Sequence, residues 1–324
     1  MPTMKFTKAL AAAAAVGVVV SLALAGCSSS STTSSESCSG GTASGSVSDS
    51  IKATGDFGKA PTVKFDKGLS TKTTQKSTLI QGKGALVEKG DPVIFQVSLY
   101  DGKTGAKATA TDYTSSGTYL VAGPATSLGA LSEGLTCSHV GDRIAIAGSA
   151  KDSTDGQGIS TYKIGATDSV VFVADILKAF PSRATGTAEK PVAGQSTVKL
   201  AKDGAPTITV PTTPAPTTLQ STTLIKGKGA AIKAGDSLMM QYTGVTYADG
   251  KVFDSSWTKG QPFVGSLTKG QLIDGWVDGL AGKTVGSQVL LTIPPAEGYG
   301  DQAQTGIPAG STLVFVIDVL GKVG

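Results

Sequence analysis

The sequence predicts an α+β protein in which one domain, an antiparallel twisted sheet wrapped on a single short helix, occurs twice behind a leader and a flexible tether. Three observations predict it. Thr78-Leu-Ile-Gln-Gly-Lys-Gly-Ala-Leu-Val-Glu-Lys-Gly-Asp91 and Thr223-Leu-Ile-Lys-Gly-Lys-Gly-Ala-Ala-Ile-Lys-Ala-Gly-Asp236 are identical at nine of fourteen positions, 145 residues apart. The same offset relates Ala60-Pro61-Thr62-Val63 to Ala205-Pro206-Thr207-Ile208, and an offset of 143 relates Val170–Leu177 to Leu313–Leu320. A repeat this long is a whole domain rather than a solenoid unit. Finally, each copy carries several stretches of strand character around one helical stretch.

Residues 1–26 follow the plan of a secretory signal: Lys5 and Lys8 start it, and an apolar run from Ala9 to Leu24 follows. The run ends in Leu24-Ala25-Gly26-Cys27, which resembles the bacterial lipobox. That resemblance implies a lipid on Cys27, which would then begin the mature chain. Two or more acyl chains hold a protein stably on a membrane, each buried methylene adding about 0.8 kcal/mol. The expectation is therefore an extracytoplasmic chain, lipid-anchored to the cell membrane. Residues 27–57, opening with a Ser/Thr run, read as a flexible Ser/Thr/Gly tether that buries too little apolar surface to fold. Cys38 and Cys137 remain, and an oxidising compartment would permit a disulfide without requiring one.

The first copy is expected over 58–180 and a linker rich in Ala, Thr, Gly and Ser over 181–202. The second copy, 203–324, is the more legible. Thr207–Val210 alternates polar and apolar and suggests a short strand, and Ser237–Thr246 reads as a longer one. Asp249-Gly250 is a hairpin turn, because Gly tolerates positive φ, and Lys251–Asp254 returns from it. Apolar residues at 272, 273, 276, 277 and 280 share one face of a helix over Gln271–Leu280. Ser287–Ile293 and Ser311–Leu320 complete the strands, the last nearly all apolar, as befits the middle of a sheet.

Composition excludes several functions. Without Lys5 and Lys8 of the leader, 26 basic side chains face 24 acidic ones, which makes no electrostatic case for nucleic acid. One His and three Cys, with neither Cys-x-x-Cys nor His-Glu-x-x-His, argue against a metal site, and no motif calls for a cofactor. His139 reads as an ordinary loop or surface residue.

Tyr242-Thr-Gly244, Asp249-Gly-Lys-Val-Phe-Asp-Ser-Ser256, Gln261-Pro-Phe263, Gln271-Leu-Ile-Asp-Gly-Trp276, Ile293-Pro-Pro295, Gly298-Tyr-Gly300, Ile307-Pro308 and Leu313-Val-Phe315 follow one another over residues 221–321. In this order and spacing they resemble the FKBP family of peptidyl-prolyl cis-trans isomerases. The resemblance implies an apolar pocket with Trp276 as floor and Tyr242, Phe253, Phe263, Leu272, Ile273, Tyr299, Ile307 and Phe315 as walls. It puts Asp254 at the rim near the Tyr242 hydroxyl, and gives the Ile273 backbone N–H and the Tyr299 hydroxyl to carbonyls of the bound ligand. The partners it implies are proline-containing segments of exported proteins and macrolides of the FK506 and rapamycin kind. Lys259 stands where the family often has Arg, and Lys cannot form the bidentate fork.

The first copy keeps the framework of an FKBP-like domain and loses the pocket. Val97 replaces Tyr242, Leu131 replaces Trp276, no Phe-Asp pair follows Asp101-Gly102, and only Phe172 matches, at Phe315. It is expected to be inactive. A non-catalytic peptide-binding or chaperone lipoprotein stays open as the alternative to an isomerase.

Overall fold

The computed structural model describes residues 38–114, 116–123 and 128–324. The leader, Cys27 and residues 28–37 of the expected tether lie outside the described residues. Both copies fold as α+β domains. In the first, the sheet runs Gln75–Ile80, Arg143–Gly148, Val170–Ala179, Pro92–Asp101, with Lys107–Ala110 and Thr118–Val121 both paired to Pro92–Asp101. In the second, Gln220–Lys226, Gln288–Ile293, Leu313–Lys322 and Ser237–Thr246 take the same order, and Val252–Ser255 and Phe263–Ser266 both pair with Ser237–Thr246. Every pairing in the two sheets is antiparallel. The helices Gly129–Leu135 and Asp274–Leu280 are also equivalent.

Alternation along the strands divides the core. On Ser237–Thr246, Leu238, Met240 and Tyr242 face the helix, where they join Trp276, Val277 and Leu280. Met239 and Val245 serve the opposite face. A seven-residue helix has too few hydrogen bonds to stand alone, so this one is held by packing. It lies very close to the sheet: a Cβ on Gly275 or Gly279 would come within 2.6 Å of Ile293 or Leu291 side-chain carbons.

The outer face of each sheet is covered twice over. At one end lies a β-hairpin, Lys52–Thr54 with Thr62–Lys64 in the first copy and Thr197–Leu200 with Pro206–Thr209 in the second. It seals a second apolar layer, built on Val171 and Val173 in one copy and Val314 and Val316 in the other. The expected boundaries at 57/58 and 202/203 are thus corrected, since both cut through these hairpins. One strand of each hairpin lies in a stretch whose Ser, Thr, Gly and Ala content reads as tether or linker.

The tether expectation is corrected in the same region. Ser46–Ser50 is a short helix, polar in composition but bound in place. Ser48 Oγ meets Ser77 Oγ at 2.7 Å, and Gln75 Oε1 accepts the Val47 and Ser48 backbone N–H groups. Composition saw the serines and not these long-range bonds. The linker is likewise structured, with Thr187–Ala188 added as an edge strand beside Gln220–Lys226.

At its other end the outer face is covered by the sister copy. Ile94, Tyr119, Leu177 and Phe180 of the first copy form one apolar cluster with Met239, Val264, Leu320 and Val323 of the second. These are four pairs of equivalent positions, at offsets of 145, 145, 143 and 143. One patch therefore meets its own counterpart, as in an isologous dimer contact. Gly321 completes the fit, for the Phe180 ring lies where a Cβ at 321 would be, 2.3 Å from two ring carbons.

Cys38 and Cys137 are joined in a disulfide that closes a long loop onto the end of the first helix. A disulfide typically contributes about 2–4 kcal/mol, chiefly by constraining the unfolded chain. Replacing both cysteines by Ser is expected to lower stability by that amount in denaturant unfolding, the first copy losing the crosslink. Among the described residues, no helix is long and apolar enough to cross a membrane.

Candidate functional site

The site is a cavity of about 590 Å³ in the second copy, open between the helix and the strand ends. Trp276 forms its floor from the helix and is only 5% exposed. Three further rings meet it edge to face, and a fourth meets one of these. Trp276 lies 5.4 Å from Tyr242 at 77°, 6.0 Å from Phe263 at 90° and 5.2 Å from Phe315 at 86°. Phe253 stands 5.4 Å from Phe315 at 83°. Edge-to-face rings satisfy one another's quadrupoles and hold a rigid apolar wall.

Two glycines make room for these rings. Gly244 lies between Phe253 and Phe315, and a Cβ there would sit 2.6 Å from a carbon of each. Gly265 follows Phe263 on the same strand face, and a Cβ there would come within 2.6 Å of that ring. Neither has a positive φ, so the requirement is space rather than backbone conformation.

Polar groups gather at the rim. Tyr242 Oη donates to Asp254 Oδ2 at 2.5 Å, and Lys259 Nζ lies 2.6 Å from Asp254 Oδ1. Lys259 thus anchors the carboxylate through one oxygen, in the place where an Arg fork was the family expectation. Burial works to raise Asp254, but the Lys259 and Tyr242 hydrogen bonds outweigh it and hold the carboxyl below its usual range. Burial, then the Asp254 carboxylate, push the Tyr242 phenol up, and the same two causes raise Tyr299. Tyr299 stands at the mouth, 38% exposed. Ile273 is the N-cap residue of the helix, in extended conformation, so its N–H lies outside the helical ladder at the cavity wall. The Trp276 indole N–H is buried without a hydrogen-bond partner among the described residues.

Of the ten residues expected at the pocket, Tyr242, Phe253, Asp254, Phe263, Leu272, Ile273, Trp276, Tyr299 and Phe315 line this cavity. Ile307 does not. It is buried in the same core cluster and lines a neighbouring groove with Thr246, Asp249 and Pro308. The expected helix start at Gln271 is also corrected to Asp274: Leu272 and Ile273 face the cavity from the turn before the helix. Sequence reasoning passed over Gln271, Asp274, Ala296 and Glu297, which also line it. Their side chains are of kinds that any surface loop carries, so nothing marked them.

The first copy lacks the aromatic set at the equivalent place. Leu131, at the Trp276 position, is 2% exposed and packs with Phe172, Leu99, Val97, Ala108, Leu120 and Leu128. Strand register aligns Leu99 with Gly244 and Ala108 with Phe253. Leu99 thus stands where the second copy has the glycine that makes room for the Phe253 ring, and Ala108 stands where that ring is carried.

Residues 228–320 match the family model for FKBP-type peptidyl-prolyl cis-trans isomerase. The chain is 39% identical over 115 residues to the probable FK506-binding protein of Corynebacterium glutamicum, covering 36% of this chain and 96% of that protein. It is 49% identical over 94 residues to FK506-binding protein 4 of Aspergillus fumigatus, covering 29% of this chain and 19% of that protein. Across that protein and three further fungal relatives, the chain spans between 19% and 42% of the relative's length. Among solved structures, FkpA from Escherichia coli is 34% identical, with 40% of this chain and 52% of that chain covered and a TM-score of 0.31.

Proposed function

Since this chain belongs to the FKBP-type peptidyl-prolyl cis-trans isomerase family, we propose that its second copy catalyses cis-trans isomerisation of X–Pro bonds in exported proteins. The observation that carries this reading is the aromatic cavity itself, floored by Trp276 and walled by Tyr242, Phe253, Phe263 and Phe315. An X–Pro amide must lose its C–N resonance at the top of a barrier of about 18–20 kcal/mol. The twisted amide is less polar than the planar one. A dry apolar recess therefore favours it over the ground state, which water solvates better, and this is differential binding of the transition state. No nucleophile or proton transfer is required of the site. The Ile273 N–H and the Tyr299 hydroxyl hold the flanking peptide carbonyls, and macrolides of the FK506 kind compete for the same recess.

The chain acts outside the cytoplasm, anchored by a lipid on Cys27. The leader pattern supports this, and so does the Cys38–Cys137 disulfide, a bond that persists in oxidising compartments. There it speeds folding steps limited by proline, which otherwise take about 10–100 s.

The test is a protease-free isomerisation assay on a proline tetrapeptide. The full chain is expected to accelerate exchange, and Trp276→Leu, which installs the first copy's residue, to lower kcat/KM at least about tenfold. Because Asp254 is held low and Tyr242 and Tyr299 are held high, these groups keep one protonation state, so kcat/KM should stay level from about pH 6 to 8.5. Unchanged turnover by a folded Trp276→Leu chain, or a bell-shaped profile in that range, would contradict the proposal.

A further inference from the structure

We propose that the first copy, though it lacks the aromatic set of a pocket, sets the geometry of the second copy's pocket, and that Tyr119 is the positioning residue through which it does so. This rests on the reading of the second copy as an isomerase. The strand Phe263–Ser266 has two faces. Phe263 is a wall of the cavity, against Tyr242 and Trp276. Its neighbour Val264 points the other way, into the apolar cluster between the copies. The back of the pocket wall is therefore the interface.

The equivalent strand of the first copy, Thr118–Val121, comes to the same interface but departs from the two-fold pattern at one place. Tyr119 occupies the Val264 position, and its hydroxyl reaches across to donate to the Pro262 carbonyl at 3.2 Å. Val264 has no hydroxyl to return that bond. Pro262 directly precedes Phe263 and lies just outside the strand ladder, which begins at Phe263 paired with Met240.

The segment from Ser255 to Pro262 carries both the rim and the approach to Phe263, and it is pinned along its length. At its start, Ser256 Oγ accepts the Tyr242 N–H at 2.8 Å. In its middle, Lys259 holds Asp254 and the Trp257 ring lies over Gly204 of the N-terminal hairpin turn. At its end the bond from Tyr119 holds the Pro262 carbonyl. Gly265 leaves room for the Phe263 ring over its own strand, and the backbone that carries the ring is entered from Pro262. A shift of the wall would alter which prolyl peptides fit the twisted geometry, because catalytic fit is sensitive to small displacements.

The test compares Tyr119→Phe and Tyr119→Ala in the full chain, with Tyr162→Phe as the control, since Tyr162 is an exposed tyrosine of the same copy. kcat and KM are measured on Leu-Pro and Ala-Pro tetrapeptides, beside thermal unfolding. Loss of one hydrogen bond is expected to lower kcat/KM roughly three- to tenfold in Tyr119→Phe, with the unfolding midpoint held. It should also change the Leu-Pro to Ala-Pro ratio by about twofold or more. A variant that merely lost folded protein would scale both peptides alike and leave the ratio untouched. Tyr162→Phe should match wild type. Wild-type kinetics and ratio in both Tyr119 variants would overturn the positioning role and leave the isomerase reading standing. A wild-type chain with no isomerase activity would overturn both.

Discussion

Replacing Gly244 by Leu together with Phe253 by Ala is expected to give a folded chain whose kcat/KM on proline tetrapeptides is about a hundredfold or more below wild type. The pair copies into the second domain the combination that the first carries as Leu99 and Ala108. In the first domain that leucine is buried in one cluster with Phe172 and Leu131. The two changes compensate in volume, which cores tolerate best. Gly244→Leu alone should behave differently. Its side chain would collide with the Phe253 and Phe315 rings, and overpacking of this kind costs about 1–3 kcal/mol. Phe253→Ala alone should leave the recess open on one side and retain part of the activity. Steady-state isomerisation beside thermal unfolding separates these outcomes. Near-wild-type activity in a folded double variant would mean that the recess is not where the amide turns.

The second large effect concerns stability. Arg143→Met is expected to cost about 3–5 kcal/mol in denaturant unfolding of the first copy, because it strands a buried carboxylate. Arg143 is 0% exposed and grips Asp175 with two bonds, Nε to Oδ1 at 2.6 Å and Nη2 to Oδ2 at 2.7 Å. The rest of the guanidinium donates to the Gly55, Asp56 and Lys59 carbonyls in the turn of the N-terminal hairpin. One residue therefore neutralises a buried acid and fastens the hairpin to the sheet, so hydrogen exchange over 52–64 should quicken in the variant. The second copy solves the same position otherwise. Gln288 donates to Asp318 at 2.7 Å, and Asp318 accepts the Ala184 N–H at 2.8 Å, so the pair fastens the linker instead of a hairpin. Without a cation in contact, burial pushes the Asp318 carboxyl up. Arg143→Gln, which copies that pair, should cost less than Arg143→Met. Equal stability of all three chains would contradict this account.

What was legible in the chain, and what was not, follows from the range of the interactions. The repeat was readable because sequence identity is a local property, whereas the aromatic set around Trp276 was legible only through the order and spacing of motifs that resemble a known family. The near-continuous apolar run Leu313–Val316 announced burial on both faces. It did not say that a hairpin covers one end of the outer face and a sister copy the other. Nothing in the chain marked Met239 or Val264, and only their meeting with Ile94 and Tyr119 reveals an interface. Gly244 belonged to a recognisable motif, yet its reason, the space for two rings, needs coordinates. Ser46–Ser50 was misread because bonds to Gln75 and Ser77, nearly thirty residues away, outweigh a composition that favours disorder. Ile307 was placed on the cavity by resemblance, and the turn that carries it delivers its side chain into the core behind.

The most direct measurement is magnetisation-exchange NMR of a proline peptide at equilibrium, with catalytic amounts of the full chain and then with an FK506-type macrolide added. Exchange between the cis and trans peptide resonances is expected to rise with the chain and to return to the uncatalysed rate once the macrolide is in excess. Exchange that the chain does not accelerate, or that persists unchanged when the macrolide saturates the second copy, would contradict the assignment of the chemistry to the cavity above Trp276.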